Sequence, residues 1–164
     1  MLTFLEDSPA QREDEAMTSK ADFSDEEWTT VLQGPPSAGM IVVTAQRGGS
    51  FRETIAMAKS YAEARKQHGE SELLDEIVAT KPHTDHTHYH SEQELKEGGL
   101  QHIRAAIQVL AAKATPEEVE DYKRFVLHLA DNVANAHRES GVTESPAEKA
   151  AIDEIAAAMG VAAA

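Results

Sequence analysis

The chain has 164 residues, a formal net charge of −14 and no cysteine. That length suffices for one domain with its own core. The charge repels phosphate backbones and anionic headgroups, so neither nucleic acid nor a membrane is an expected partner. Without cysteine there are no disulfides, thiolate metal sites, iron–sulfur clusters or thiol nucleophiles. Hydrophobic residues make up 41%, much of it alanine, and aromatics only 5%. Alanine is the best helix former, and β-branched and aromatic residues favour strands. The composition therefore predicts an all-α fold, a single compact bundle of about six or seven helices.

Residues 1–27 hold nine acids against Arg12 and Lys20, half of the net charge. The start, Met-Leu-Thr-Phe-Leu-Glu-Asp, has no basic flank and no long apolar run. It does not read as a signal peptide, and the expected location is cytoplasmic. No segment approaches ~20 apolar residues, so no membrane span is expected. Residues 1–22 are polar, acidic and aperiodic, and are predicted to be a disordered tail, with Leu2, Phe4 and Leu5 available as a short linear motif. Residues 23–164 are predicted to form the helical domain.

Five capping-box spacings precede apolar-periodic segments: Ser24/Glu27, Ser50/Glu53, Ser91/Glu94, Thr115/Glu118 and Ser145/Glu148. In each, a hydroxyl and a carboxylate satisfy orphan backbone donors reciprocally. The same spacing at Thr3/Glu6 and Ser60/Glu63 is not read as a helix start. Pro116 and Pro146 sit at a first helical position, where a missing N–H costs nothing.

Trp28, Val31 and Leu32 mark an opening helix, predicted to end at Pro35 and Pro36. A separate buried helix is expected over 40–45, in preference to a strand at Ile41-Val42-Val43. Phe51, Ile55, Ala58 and Ala62 make the next stripe at helical spacing. Leu73, Leu74, Ile77 and Val78 make another, stopped before Pro82. Leu100, Ile103, Ile107, Leu110 and Ala114 follow, with Gly98-Gly99 placing the helix start near Leu100. Tyr122, Val126, Leu129, Val133 and His137, then Ile152, Ile155 and Met159, complete the set.

One stretch carries evident chemistry. Lys-Pro-His-Thr-Asp-His-Thr-His-Tyr-His places His83, His86, His88 and His90 within eight residues, with Asp85 among them. Neutral imidazole is the commonest nitrogen ligand for Zn2+, Ni2+ and Cu2+. A loop over 81–91 can wrap several imidazoles round one ion, and Asp85 can ligate or orient a ring. His86 and His90 share a helix face if the following helix extends back beyond Ser91. The competing reading is a polar loop whose histidines do nothing specific; a third is pH sensing. His137, His68, His102 and His128 lie at helix ends or stripe edges and read as structural.

Enzyme signatures are absent from the sequence. There is no His-Glu-x-x-His, no Glu-x-x-His, no phosphate-binding glycine loop and no Gly-x-Ser-x-Gly elbow. The acidic clusters Glu13-Asp14-Glu15 and Asp25-Glu26-Glu27 lack the pattern of a calcium loop and read as solvated faces or helix starts.

The last third carries a resemblance. Val133-Ala-Asn-Ala136, a polar loop, Ser145-Pro-Ala-Glu-Lys149 and Ala151-Ile-Asp-Glu-Ile-Ala-Ala-Ala-Met-Gly160 resemble the end of the tellurite-resistance TerB-like family. Glu148, Ile152, Ile155, Ala156 and Gly160 match its second helix. The resemblance implies an all-α fold and a stress-response role. The chain departs from the family where an acidic turn would follow Ala136. His137-Arg138-Glu139-Ser140-Gly141 stands there, leaving only Glu139 and Glu144 of the acids that would hold metal.

These readings converge on a non-enzymatic helical module with a divalent-metal site at His83, Asp85, His86, His88 and His90, a protein partner, and a monomeric or homodimeric state. Two rivals are an interaction module with no metal role and a metal-dependent hydrolase. The hydrolase would use the loop as an open three-ligand site, with Glu92 or Glu94 as general base.

Overall fold

A computed structural model describes residues 18–45, 51–66, 71–80, 89–139 and 146–161, the side chains of 51–54 and 137–139 excepted. After a 3-10 turn at Lys20–Asp22 come α1 (Asp25–Ala45), α2 (Phe51–Lys66), α3 (Glu72–Ala79), α4 (Glu92–Lys113), α5 (Pro116–Glu139) and α6 (Pro146–Ala158). The described residues contain no strand, and the helices pack into one bundle, as the composition predicts. No helix among them is long and apolar enough to cross a membrane.

The bundle is built round α1. Its most extensive packing is with α4, then α5, and α6 lies against it too. Gly34, Pro35, Pro36, Ser37, Ala38 and Gly39 are buried in succession, so in this stretch α1 has no solvent face. The predicted break at Pro35-Pro36 is incorrect: α1 runs through both prolines, and 40–45 is its last turn and a half rather than a separate helix. Pro35 has no N–H to give the Val31 carbonyl four residues back. That carbonyl instead accepts from the Tyr122 hydroxyl of α5 at 2.6 Å. Gly34 makes room, because a Cβ there would collide with Tyr122 Oη. Burial pushes the Tyr122 phenol well above its ordinary pKa, so it stays protonated and donating.

The remaining faces follow their stripes with two corrections. Leu100, Ile103 and Leu110 of α4 are buried, as are Tyr122, Val126, Leu129 and Val133 of α5, and Leu73, Ile77 and Val78 of α3. On α2 the predicted stripe points the wrong way. Ile55 is 38% exposed, and the inward residues are Ser60 and Tyr61, the latter edge-on to Phe125 at 5.2 Å. The predicted helix start near Leu100 is also incorrect. Ser91 caps α4, and the helix passes through Gly98 and Gly99, where Ile41 of α1 occupies the space a Gly99 Cβ would fill. At the other terminus Gly160, at φ +74°, closes α6: Val161 N–H donates to Ala156 and Gly160 N–H to Ala157.

The segment expected to be a disordered tail reaches the described residues only at 18–22, where the chain is seated. Thr18 is buried and bonds Glu118 twice, through its N–H at 3.2 Å and its hydroxyl at 2.7 Å. Glu118 at the same time completes the capping box of α5 with Thr115. Lys113 at the end of α4 donates to the Asp22 carbonyl at 2.9 Å and to Glu27 at 2.7 Å. Glu27 in turn completes the Ser24 box that opens α1. Thr18–Phe23 is thus a strap joining the starts of α1 and α5.

Two expected outcomes follow. Tyr122→Phe leaves the buried Val31 carbonyl without its donor and lowers unfolding free energy by about 1–3 kcal/mol in denaturant titration; Gly34→Ala lowers it by a similar ~1–3 kcal/mol through overpacking. The bond from Lys113, with the Ser24 backbone bond, holds the Glu27 carboxyl below its ordinary range. Its contribution is therefore present above the unfolded-state pKa and is lost as pH falls through the lower folded value. Lys113→Ala makes the acid-induced loss of stability in that window shallower, as read by urea midpoints across pH.

Candidate functional site

Of the predicted ligands, His83, Asp85, His86 and His88 lie outside the described residues; His90 lies within them. Both flanks of the histidine segment are anchored. On the α3 side, Thr80 caps the helix by donating its N–H at 3.2 Å and its hydroxyl at 2.8 Å to the Glu76 carbonyl. Arg65 Nε, from α2, donates to the Val78 carbonyl at 2.7 Å and holds the same end.

On the α4 side, Ser91 Oγ accepts from Glu94 N–H at 3.1 Å. The Glu94 carboxylate accepts from the backbone N–H of His90 at 3.0 Å, one residue further back than in the predicted box. Ser91 has extended backbone angles and α4 begins at Glu92, so His90 is not on a helix face and cannot share one with His86. Its side chain is exposed. Tyr89 is half-buried against Gly98, where a Cβ would come within 2.7 Å of its Cε1. The glycine that weakens the helix by propensity is the seat of the aromatic ring beside the histidines.

Among the described residues no three histidine, aspartate or glutamate side chains converge to hold a metal. Their surface carries several grooves. One of about 450 Å³ lies between α2 and α5, with Ile55, Lys59 and Asn132 in its walls. Another, about 390 Å³, separates α1, α4 and α6 and includes Glu92 and the Lys96–Glu154 ion pair at 3.2 Å. A third, about 360 Å³, has Leu74 and Phe125 inside and the Glu63–His128 contact of 3.7 Å at its rim.

Ser60, at the junction of α2 and α5, donates to the Ala56 carbonyl and accepts from Asn132 Nδ2 at 2.9 Å. Its hydroxyl is engaged in packing the two helices rather than set beside a base. Burial raises the Tyr61 phenol above its ordinary pKa, which makes it a neutral core group. Glu94, one of the two bases considered for a hydrolase, is engaged at the α4 cap.

No family model matches the chain, and neither a curated protein nor a solved structure is significantly similar to it. The resemblance to TerB-like proteins therefore rests on the residues that carry it in the sequence.

Sequence reasoning missed a fourth pocket, of about 410 Å³, between the strap, α1 and α3. Trp28 lines it. The signal available was a lone tryptophan one helical turn after an acidic helix start, which reads equally well as core.

The seating of Tyr89 gives a double-mutant test. Gly98→Ala alone forces the ring out and destabilises the protein. In a Tyr89→Ala background the same change stabilises by about 0.5–1 kcal/mol, because only the helix-propensity gain remains. Thermal unfolding of the four proteins reads the difference.

Proposed function

We propose that this chain is a non-enzymatic helical module that binds one divalent transition-metal ion through His83, His86, His88 and His90, with Asp85 as a further ligand or ring-orienting group. The observation that carries the reading is the density of imidazoles in a segment anchored at both ends, by the Thr80 cap on one side and by Tyr89 and the His90–Glu94 bond on the other. Fixing the ends of a ligand-bearing loop removes part of the ordering entropy that metal binding must overcome. Four nitrogen donors suit tetrahedral Zn2+; Cu2+ and Ni2+ are held by the same donors in tetragonal geometry. Engaged hydroxyls and neutral, buried phenols at the helix junctions fit a scaffold better than a catalyst. The stress-response role implied by the TerB-like resemblance, a cytoplasmic location and a protein partner are part of the same proposal.

The test is a calorimetric titration of Zn2+, Ni2+ and Cu2+ into tag-free protein at pH 7.5, beside the variant with all four histidines replaced by alanine. The expected result is one-to-one binding tighter than about micromolar, worth roughly −8 kcal/mol, lost in the variant. Affinity falls as pH is lowered, because a protonated imidazole does not ligate. Weak binding of several ions, equal in the two proteins, overturns the metal role and leaves the interaction module.

A further inference from the structure

The strap pocket has three features that point to one kind of occupant. It is walled by Ser19, Lys20, Phe23, Asp25, Trp28 and Glu76. Asp25, exposed in the first turn of α1, makes no ion pair among the described residues. Glu76 uses one carboxylate oxygen to accept from Lys20 N–H at 2.6 Å; its other oxygen has no partner among them. Trp28 is 95% buried on the α1 side, beside Phe23 at 5.6 Å, and its indole N–H finds no acceptor there. A buried donor without an acceptor is uncommon, and it marks the place where a bound group would be worth most. The occupant must bring positive charge for Asp25 and Glu76 and a hydrogen-bond acceptor for the indole. A simple metal ion brings no acceptor, and an anion brings the wrong charge.

We propose that this pocket docks a basic peptide segment. A lysine or arginine side chain sits between Asp25 and Glu76, and a peptide carbonyl accepts from Trp28 Nε1. The strap shifts to admit the carbonyl, since the indole nitrogen is shielded from solvent in the unbound protein. Lys20 is the native cation at this pocket and competes with the incoming one. The wider surface favours the encounter: Asp22 and Glu26 are exposed beside it, and the whole chain is strongly acidic.

The chain has a single tryptophan, so its fluorescence reports this pocket alone. The probe is an acetylated, amidated penta-arginine peptide titrated into the full chain at moderate salt. Saturable binding with a change in tryptophan emission is expected. Asp25→Asn with Glu76→Gln weakens it by about tenfold or more, and Lys20→Ala tightens it. Glu120→Gln with Glu97→Gln carries the same change in net charge away from the pocket and leaves affinity unaltered. Unfolding midpoints confirm that each variant is folded, and Asp25→Asn alone gives a readout if Glu76→Gln loosens the strap. Binding without an emission change, or equal weakening by the remote pair, shows general charge attraction and overturns the proposal. No binding overturns it as well.

Discussion

The hydrogen bond from Tyr122 to the Val31 carbonyl is the contact on which the architecture turns. A stretch of helix buried on every side must satisfy its carbonyls within the protein, since water cannot reach them. Two adjacent prolines in such a helix remove two internal donors and press a ring against a carbonyl, at a cost of about 3 kcal/mol or more in an ordinary helix. Here α1 stays continuous because α5 delivers a hydroxyl to one of the freed acceptors. The phenol reaches it only because Gly34 has no side chain. Proline, glycine and tyrosine form one device, and none of the three makes sense without the others. The device also fixes the register of α1 on α5, because one oxygen must meet one carbonyl.

The same economy of side chains governs the rest of the centre. A Cβ on Gly39 would meet Met57 and Leu129, and one on Gly99 would meet Ile41. Close backbone approach lets a core with few aromatics reach native packing density. Tyr122 and Leu129 of α5 fill the space over Gly34 and Gly39 of α1, while Phe125 packs on Tyr61 of α2. This explains why the apolar stripe of α5 was readable and the alanine- and glycine-rich faces were not.

What the sequence disclosed was local. The capping boxes at Ser24 and Thr115 form as spaced, and Ser91 caps α4 with its carboxylate partner displaced by one residue. What it concealed was long-range. The proline rule is correct for an isolated helix, and the donor that overrides it lies 91 residues away. Thr18 finds Glu118 across 100 residues, and nothing in the composition of an acidic tail announces that contact. On α2 the alanines sit on both faces, so spacing alone could not choose between Ile55 and Tyr61. For the histidine segment, residue identity was legible, but ligand geometry is a property of backbone angles that no spacing encodes. His90 illustrates the point, because the extended Ser91 detaches it from the helix on which a shared face with His86 depended.

The acids of this chain are not evenly distributed, and the reason is partly internal. Asp25, Glu26 and Glu27 open α1, Glu117 and Glu118 open α5, and the strap lays Asp22 between these starts. Each stabilises a helix N-terminus by facing its positive dipole end and its unpaired N–H groups. Because α1 and α5 begin at the same side of the strap, the carboxylates that serve two helices accumulate in one place. Lys113 neutralises part of that charge and ties the corner together, and Glu118 is buried under Thr18; Asp22, Asp25, Glu26 and Glu117 face solvent. A concentration of negative charge thus arises from the requirements of helix capping, before any selection for a partner. Binding there need only exploit a field that folding already creates. Loss of a capping-box acid weakens fold and attraction together; Asp25, whose carboxylate enters no capping box, serves the fold only through the helix dipole, so there the two roles come nearest to separating.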